Sequence, residues 1–280
     1  APRPAHVKPW ANLSADEQKV QSRTMEVYSA VVERMDYHLG RVLDYLETTG
    51  QMDNTLIVFM SDNGADGSDR GKLPGNKTWL KEAWDTSYEN MGRIGSYVFP
   101  GAAWARASVG SYRMYKEFLT EGGIRAPAII VYPGAVSKGE ISDAFLTVKD
   151  IAPTLLEFAD VQHPGTKYKG RQIHPMSGVS LKTFLETGTG QPHGEGDAVG
   201  WELHGQKAIR KGDWKLLWLT SKNRWLVTPD YADQWGLYNL AVDPGETNDL
   251  SAHEPEKFDE LLGLWEQYAE QQSVILPKRK

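Results

Sequence analysis

Between residues 14 and 49, apolar positions recur at three- and four-residue steps: Met25, Tyr28, Val32, Met35, Leu39, Val42 and Leu46 form one stripe. That spacing predicts a long amphipathic helix. Ser14 followed by Glu17 has capping-box spacing and predicts its start. Gly50 predicts its stop, and Asp53-Asn54 a turn beyond it. The period then changes. Thr55 to Met60 is an almost unbroken apolar run, read as a short buried strand with apolar side chains on both faces, as in a parallel sheet covered by helices. Residues 64–111 show little periodicity and are rich in Gly, Trp and Tyr, which predicts a long functional loop at a strand end. The stretch 114–120 fits neither period. Gly122-Gly123 is a break, and 126–132 reads as a second buried strand closed by Pro133-Gly134. Residues 150–161 predict a helix with Asp150 as its cap and Pro153 in its first turn.

After about residue 195 the runs become short: 201–203, 206–210, 214–219 and 235–240, with Lys211-Gly212-Asp213 as a tight turn between two of them. This predicts a small antiparallel sheet. A closing helix is expected over 254–271, with Phe258, Leu261, Leu262, Trp265 and Tyr268 on one face. The expected fold class is therefore α/β, with residues 1–195 as an α/β body and 196–280 as a smaller sheet-plus-helix subdomain.

Composition narrows the chemistry. The chain has 280 residues, 40% hydrophobic and 24% charged, enough for a sizeable core. Its net charge of −6 argues against a nucleic-acid partner; the basic run Lys278-Arg279-Lys280 reads as a solvated tail. With no cysteine, thiolate metal sites, disulfides and cysteine nucleophiles are excluded. No stretch is long and apolar enough to predict a membrane span, and Ala1-Pro2-Arg3-Pro4 leads into no signal-peptide core. Asn12-Leu13-Ser14 and Asn76-Lys77-Thr78 fit the glycosylation acceptor pattern.

The candidate chemistry begins where the first strand ends. Asp62 and Asn63 offer a carboxylate and an amide oxygen, hard donors suited to Ca²⁺ or Mg²⁺, at the end of a strand where α/β sheets bind ligands. Asp-Asn-Gly is equally the composition of a simple turn. On these residues alone both readings remain open.

Several stretches resemble the type I sulfatases of the alkaline phosphatase superfamily. They are Glu26 to Asp36 with Gly40 to Leu43, Asp53 to Gly64, Thr120-Glu121-Gly122-Gly123-Ile124-Arg125-Ala126-Pro127, Asp150 to Leu156, and Leu237 to Leu240 with Asp243 to Glu246. The resemblance covers nearly the whole chain in the family's order and matches its C-terminal half. It implies a mostly parallel, alkaline-phosphatase-like sheet flanked by helices, lacking the N-terminal half of the family fold, plus a small C-terminal antiparallel sheet with a packing helix. It further implies that Asp62 and Asn63 are two ligands of one divalent cation, usually Ca²⁺, and that Lys116 contacts the sulfate oxygens of a small sulfate ester of aryl type. The formylglycine nucleophile, made from a Cys or Ser in a Cys/Ser-x-Pro-x-Arg motif, has no counterpart here. It is expected on a preceding segment, so the chain is expected to be inactive alone and to work with the N-terminal half of the same enzyme or to self-associate. Glu121 and Arg125 are expected to form a buried ion pair. Trp79, Trp84 and Trp104 either line an aryl pocket or anchor the loop. His204 is not nominated. Two alternatives stand beside this: a non-catalytic sulfatase-like module, and a phosphoester or phosphonate hydrolase of the same superfamily, against which Asn63 speaks.

Overall fold

A computed structural model describes residues 1–68, 71, 75–135, 139–220 and 233–276. The basic run at 278–280 lies outside the described residues. The chain divides into two compact units: Ala1–Tyr45, Met60–Pro127 and Ala198–Lys280 form one, and Leu46–Phe59 with Ala128–Asp197 form the other.

Helix α1 spans Ala15–Thr48. It starts where the sequence predicts: Ser14 N–H donates to Glu17 Oε2 at 2.8 Å and Glu17 N–H to Ser14 Oγ at 3.2 Å, a reciprocal capping box. Its apolar stripe stays largely in solvent. Thr24 is its one buried residue, while Tyr28, Val32, Met35 and Val42 of the stripe are exposed. Strand β1, Ile57–Met60, pairs with β2, Ala128–Val131, in a two-stranded sheet. The sequence reads both strands as buried. In the structure β1 is half-buried and β2 is mostly exposed, because pairing joins the two strands along their edges and leaves the faces of β2 largely uncovered.

The predicted loop 64–111 carries two short helices, α2 (Asn76–Ala83) and α3 (Gly101–Ser108). A one-turn helix, α4 (Glu121–Ile124), contains the Gly-Gly break. In the second unit α5 is Ile151–Phe158, followed by the two-residue strands β3 (Lys167–Tyr168) and β4 (Arg171–Gln172) and by α6 (Lys182–Thr187). Asp150 does not cap α5 with its side chain. It closes a capping box on the preceding turn, accepting from Thr147 N–H at 2.6 Å. The fully buried carboxylate also takes Val179 N–H at 2.9 Å and His193 Nε2 at 2.8 Å, so it ties three segments of this unit together.

The C-terminal meander forms as expected. Strands β5 (Ala198–Leu203), β6 (Gln206–Lys211), β7 (Trp214–Leu219) and β8 (Gln234–Asn239) make one antiparallel sheet in that order. His204 and Gly205 both take positive φ, the geometry of a tight hairpin turn, so His204 is a turn residue. Side-chain alternation splits the sheet into two cores. Ile209, Leu216 and Leu237 face Leu261 and Trp265 of α7 (Pro255–Gln271). Ala208, Leu217, Leu219 and Tyr238 face the other way, onto Met114, Tyr115, Phe118 and Leu119. The aperiodic stretch 114–120 is thus the cover of one sheet face. Leu216 is fully buried. Leu216→Ala should destabilise the protein by about 2–5 kcal/mol in urea unfolding, from lost burial plus the cavity left behind; a cost below about 1 kcal/mol would show that α7 does not pack on this sheet.

Candidate functional site

Three close approaches build the site around the end of β1. Ser61 N–H donates to Pro127 O at 3.0 Å, setting the exit of β1 beside the entry to β2. Gly64 N–H donates to Gly123 O at 3.0 Å, and Lys116 N–H to Ala65 O at 3.0 Å. Residues 62–65 are therefore bonded both to the Gly-Gly turn and to the strand of chain carrying Lys116. Only glycine permits this: a Cβ on Gly64 would strike Gly122 O, and one on Gly123 would strike Phe118 O.

Asp62 is exposed, and Asn63 and Lys116 are half-buried. The structure places all three on two segments that are hydrogen-bonded to each other. Asn63 O accepts from Ser61 Oγ at 2.8 Å, so the Asp-Asn pair sits inside a tight local turn as well as at a strand end. The donor set fits a hard cation in kind, one carboxylate and one amide oxygen, and is partial in number. Among the described residues no group of three or more His, Cys, Asp or Glu could hold a metal.

Glu121 is buried as expected, with a different partner. Arg125 lies over the Tyr112 ring at 4.7 Å. Glu121 Oε1 instead meets Lys215 Nζ at 2.8 Å, and Glu246 Oε1 meets the same ammonium at 2.8 Å. Glu121 N–H also donates to Glu246 Oε2 at 2.9 Å. Lys215 has no exposure to solvent. Burial opposes its charge, but the two carboxylates overcome that and hold it above its ordinary value. Burial pushes Glu121 up, yet Lys215, with Arg210 and Arg125, leaves its carboxyl below the usual range. Burial raises Glu246, Lys215 pulls it back down, and the neighbouring Glu121 charge raises it again, so its carboxyl stays above the usual range. Sequence reasoning missed this triad. Its signal was a lysine set between Trp214 and Leu216 in an otherwise apolar strand.

Of the loop tryptophans, Trp104 anchors the loop: its Nε1–H donates to Gln21 O at 3.0 Å and its ring packs on Trp10. Trp79 and Trp84 pack edge-on with each other and with Tyr97.

Two family profiles cover most of the chain: Sulfatase over residues 4–161, and N-sulphoglucosamine sulphohydrolase, C-terminal, over 110–272. The chain belongs to the sulfatase family. An uncharacterised sulfatase of Schizosaccharomyces pombe is 42% identical over 272 residues, 96% of this chain and 47% of that protein. An arylsulfatase of Klebsiella aerogenes is 37% identical over 178 residues, 63% of this chain and 38% of that one. A solved structure in complex with its substrate D-glucosamine-2-N,6-O-disulfate superposes with a TM-score of 0.55 at 26% identity, covering 86% of this chain and 39% of the other. This sulfatase chain thus spans less than half the length of these relatives.

Lys215→Ala leaves two buried carboxylates without their cation and should cost about 3–5 kcal/mol. Because the folded state raises the Lys215 value, its stabilising contribution is complete below the ordinary value of 10.5 and is lost as pH rises through the folded value. Urea unfolding of wild type should therefore weaken between pH 10 and pH 12 more steeply than that of Lys215→Met; equal slopes would overturn the role of this ammonium.

Proposed function

We propose that the chain contributes a divalent-cation half-site, Asp62 and Asn63, and a charge-stabilising lysine, Lys116, to the hydrolysis of a small sulfate ester. The observation that carries this reading is the Lys116 N–H to Ala65 O bond, which fixes the lysine segment beside the Asp-Asn strand end. Asp62 and Asn63 would hold Ca²⁺ through their side-chain oxygens, with further ligands from residues outside this chain. A formylglycine borne outside this chain would supply the nucleophilic oxygen. Lys116 supplies positive charge where negative charge develops on the sulfuryl oxygens and the leaving oxygen, the largest single contribution in many sites of this kind. The arylsulfatase relative supports an aryl ester as the ligand class, and the disulfated-sugar complex supports a sulfated sugar. The exposed stripe on α1 supports association with the N-terminal half of the same enzyme, or of the chain with itself. It is also what favours the second reading, a non-catalytic assembly module. None of the described helices is long and apolar enough to cross a membrane.

In the gene product that joins this chain to a formylglycine-bearing segment, Lys116→Ala should lower kcat for p-nitrophenyl sulfate by on the order of 10²-fold or more. Unchanged turnover would reject the catalytic role. Asp62→Ala in the same protein should abolish metal-dependent turnover and the heat of Ca²⁺ binding in calorimetry. Retention of both would remove the cation assignment and leave the turn.

A further inference from the structure

The segment around Lys116 is held in a shape that costs conformational energy. Met114 and Glu117 both adopt left-handed backbone, φ 57° and 76°, without being glycine. Such residues persist where the surroundings over-determine them, and they cluster at functional sites. The result here is specific. Met114, Tyr115, Phe118 and Leu119 are all buried in the core, whereas Lys116 between them keeps a third of its side chain in water.

What faces that side chain is equally fixed. Lys116 N–H is bonded to Ala65 O, and Gly67 lies so close to the Tyr115 ring that a Cβ there would collide with it. Asp66 stands between those two anchors. Its Oδ1 takes Ser68 N–H at 2.8 Å and Ser68 Oγ–H at 2.6 Å. Its Oδ2 lies 3.9 Å from Lys116 Nζ. Two floppy surface side chains meeting by chance would not have both backbones in register and one carboxylate oxygen already committed. Tyr115 is braced from behind by His6, whose Nε2 lies 2.7 Å from its hydroxyl.

We propose that Asp66 is a positioning residue: anchored by Ser68, it holds the Lys116 ammonium in place for the sulfate group. This rests on the role given to Lys116 above. The separation of 3.9 Å is an ion-pair distance without a hydrogen bond, so a bound sulfate oxygen can take Lys116 without first breaking one. Asp66 therefore restricts where the ammonium goes and leaves its donors available.

The test uses the active gene product, with Lys116→Ala as reference. Asp66→Asn should lower kcat for p-nitrophenyl sulfate by about tenfold while KM moves less than about twofold, because a lost orientation acts on the reacting geometry. Asp66→Glu, which keeps the charge, should recover most of that loss. Ser68→Ala should show a smaller loss of the same kind. In the 280-residue chain itself, the Lys116 side-chain ammonium resonance should shift with Asp66→Asn and stay put with the remote Asp85→Asn. If Lys116→Ala loses activity and Asp66→Asn does not, the positioning role is wrong while the reading of Lys116 stands. If Lys116→Ala itself is neutral, both fall. If Asp66→Glu fails to rescue, or the resonance is unmoved, Asp66 is an ordinary surface pair.

Discussion

A lysine ammonium with no access to water, shared between two carboxylates, sets the terms for everything near the site. Removing three charges from water costs several kcal/mol per ion and is offset only when the geometry is kept. Lys215 arrives on β7, Glu246 from the turn after β8, and Glu121 from the Gly-Gly turn. Glu246 reaches the contact through a left-handed backbone, φ 52°. Its turn is itself tied down by Asp243, whose carboxylate takes the N–H groups of Thr247 and Asn248. Any other packing of the sheet against residues 114–123 would leave a buried charge unpaired. The triad thus specifies one arrangement among the many that apolar burial alone would accept.

That arrangement is passed on through glycine. Gly122 packs against the carbonyls of Arg113 and Met114, and Gly123 against those of Tyr115 and Phe118. Gly64 then packs on Gly122. Three stretches of backbone, at 64, 113–118 and 122–123, lie in contact with no side chain between them, so their relative positions carry little slack. The C-terminal sheet, far along the chain from Asp62, fixes the strand end and the lysine segment by this route. The apolar contacts of Tyr115 and Phe118 with Leu217 and Tyr238 fill the space around it.

The elements with a strong period were legible in the sequence: α1 with its capping box, β1, the four-strand meander and α7. Their signals are local, carried by alternation, turn residues and caps. Residues 114–120 were not legible, because their conformation is dictated by the sheet face they cover and by left-handed residues that are not glycine. The true partner of Glu121 was hidden for a related reason: Lys215 lies 94 positions away, and only the β7 pleat turns it inward. Periodicity also misleads about burial. The α1 stripe and the apolar run of β2 are correctly patterned and still exposed, since a pattern reports the need for a partner and not its presence. Within the candidate site, Asp62, Asn63 and Lys116 were nominated through resemblance to the sulfatases, whereas Asp66 carries no motif and is found only through its anchors.

The two lysines near the Gly-Gly turn show how one fold separates structure from chemistry. Lys215 has two carboxylates at 2.8 Å, no water, and no freedom to exchange either. Turning it toward a substrate would strand two negative charges in the core. Lys116 has one carboxylate at 3.9 Å and a third of its side chain in solvent. Turning it toward an anion costs about as much as breaking an exposed ion pair, on the order of 1 kcal/mol or less. In the role proposed for Lys116, contact with a sulfate oxygen would offset that cost. The same residue type is therefore locked in one position and available in the other, and the difference lies in solvent access and partner distance.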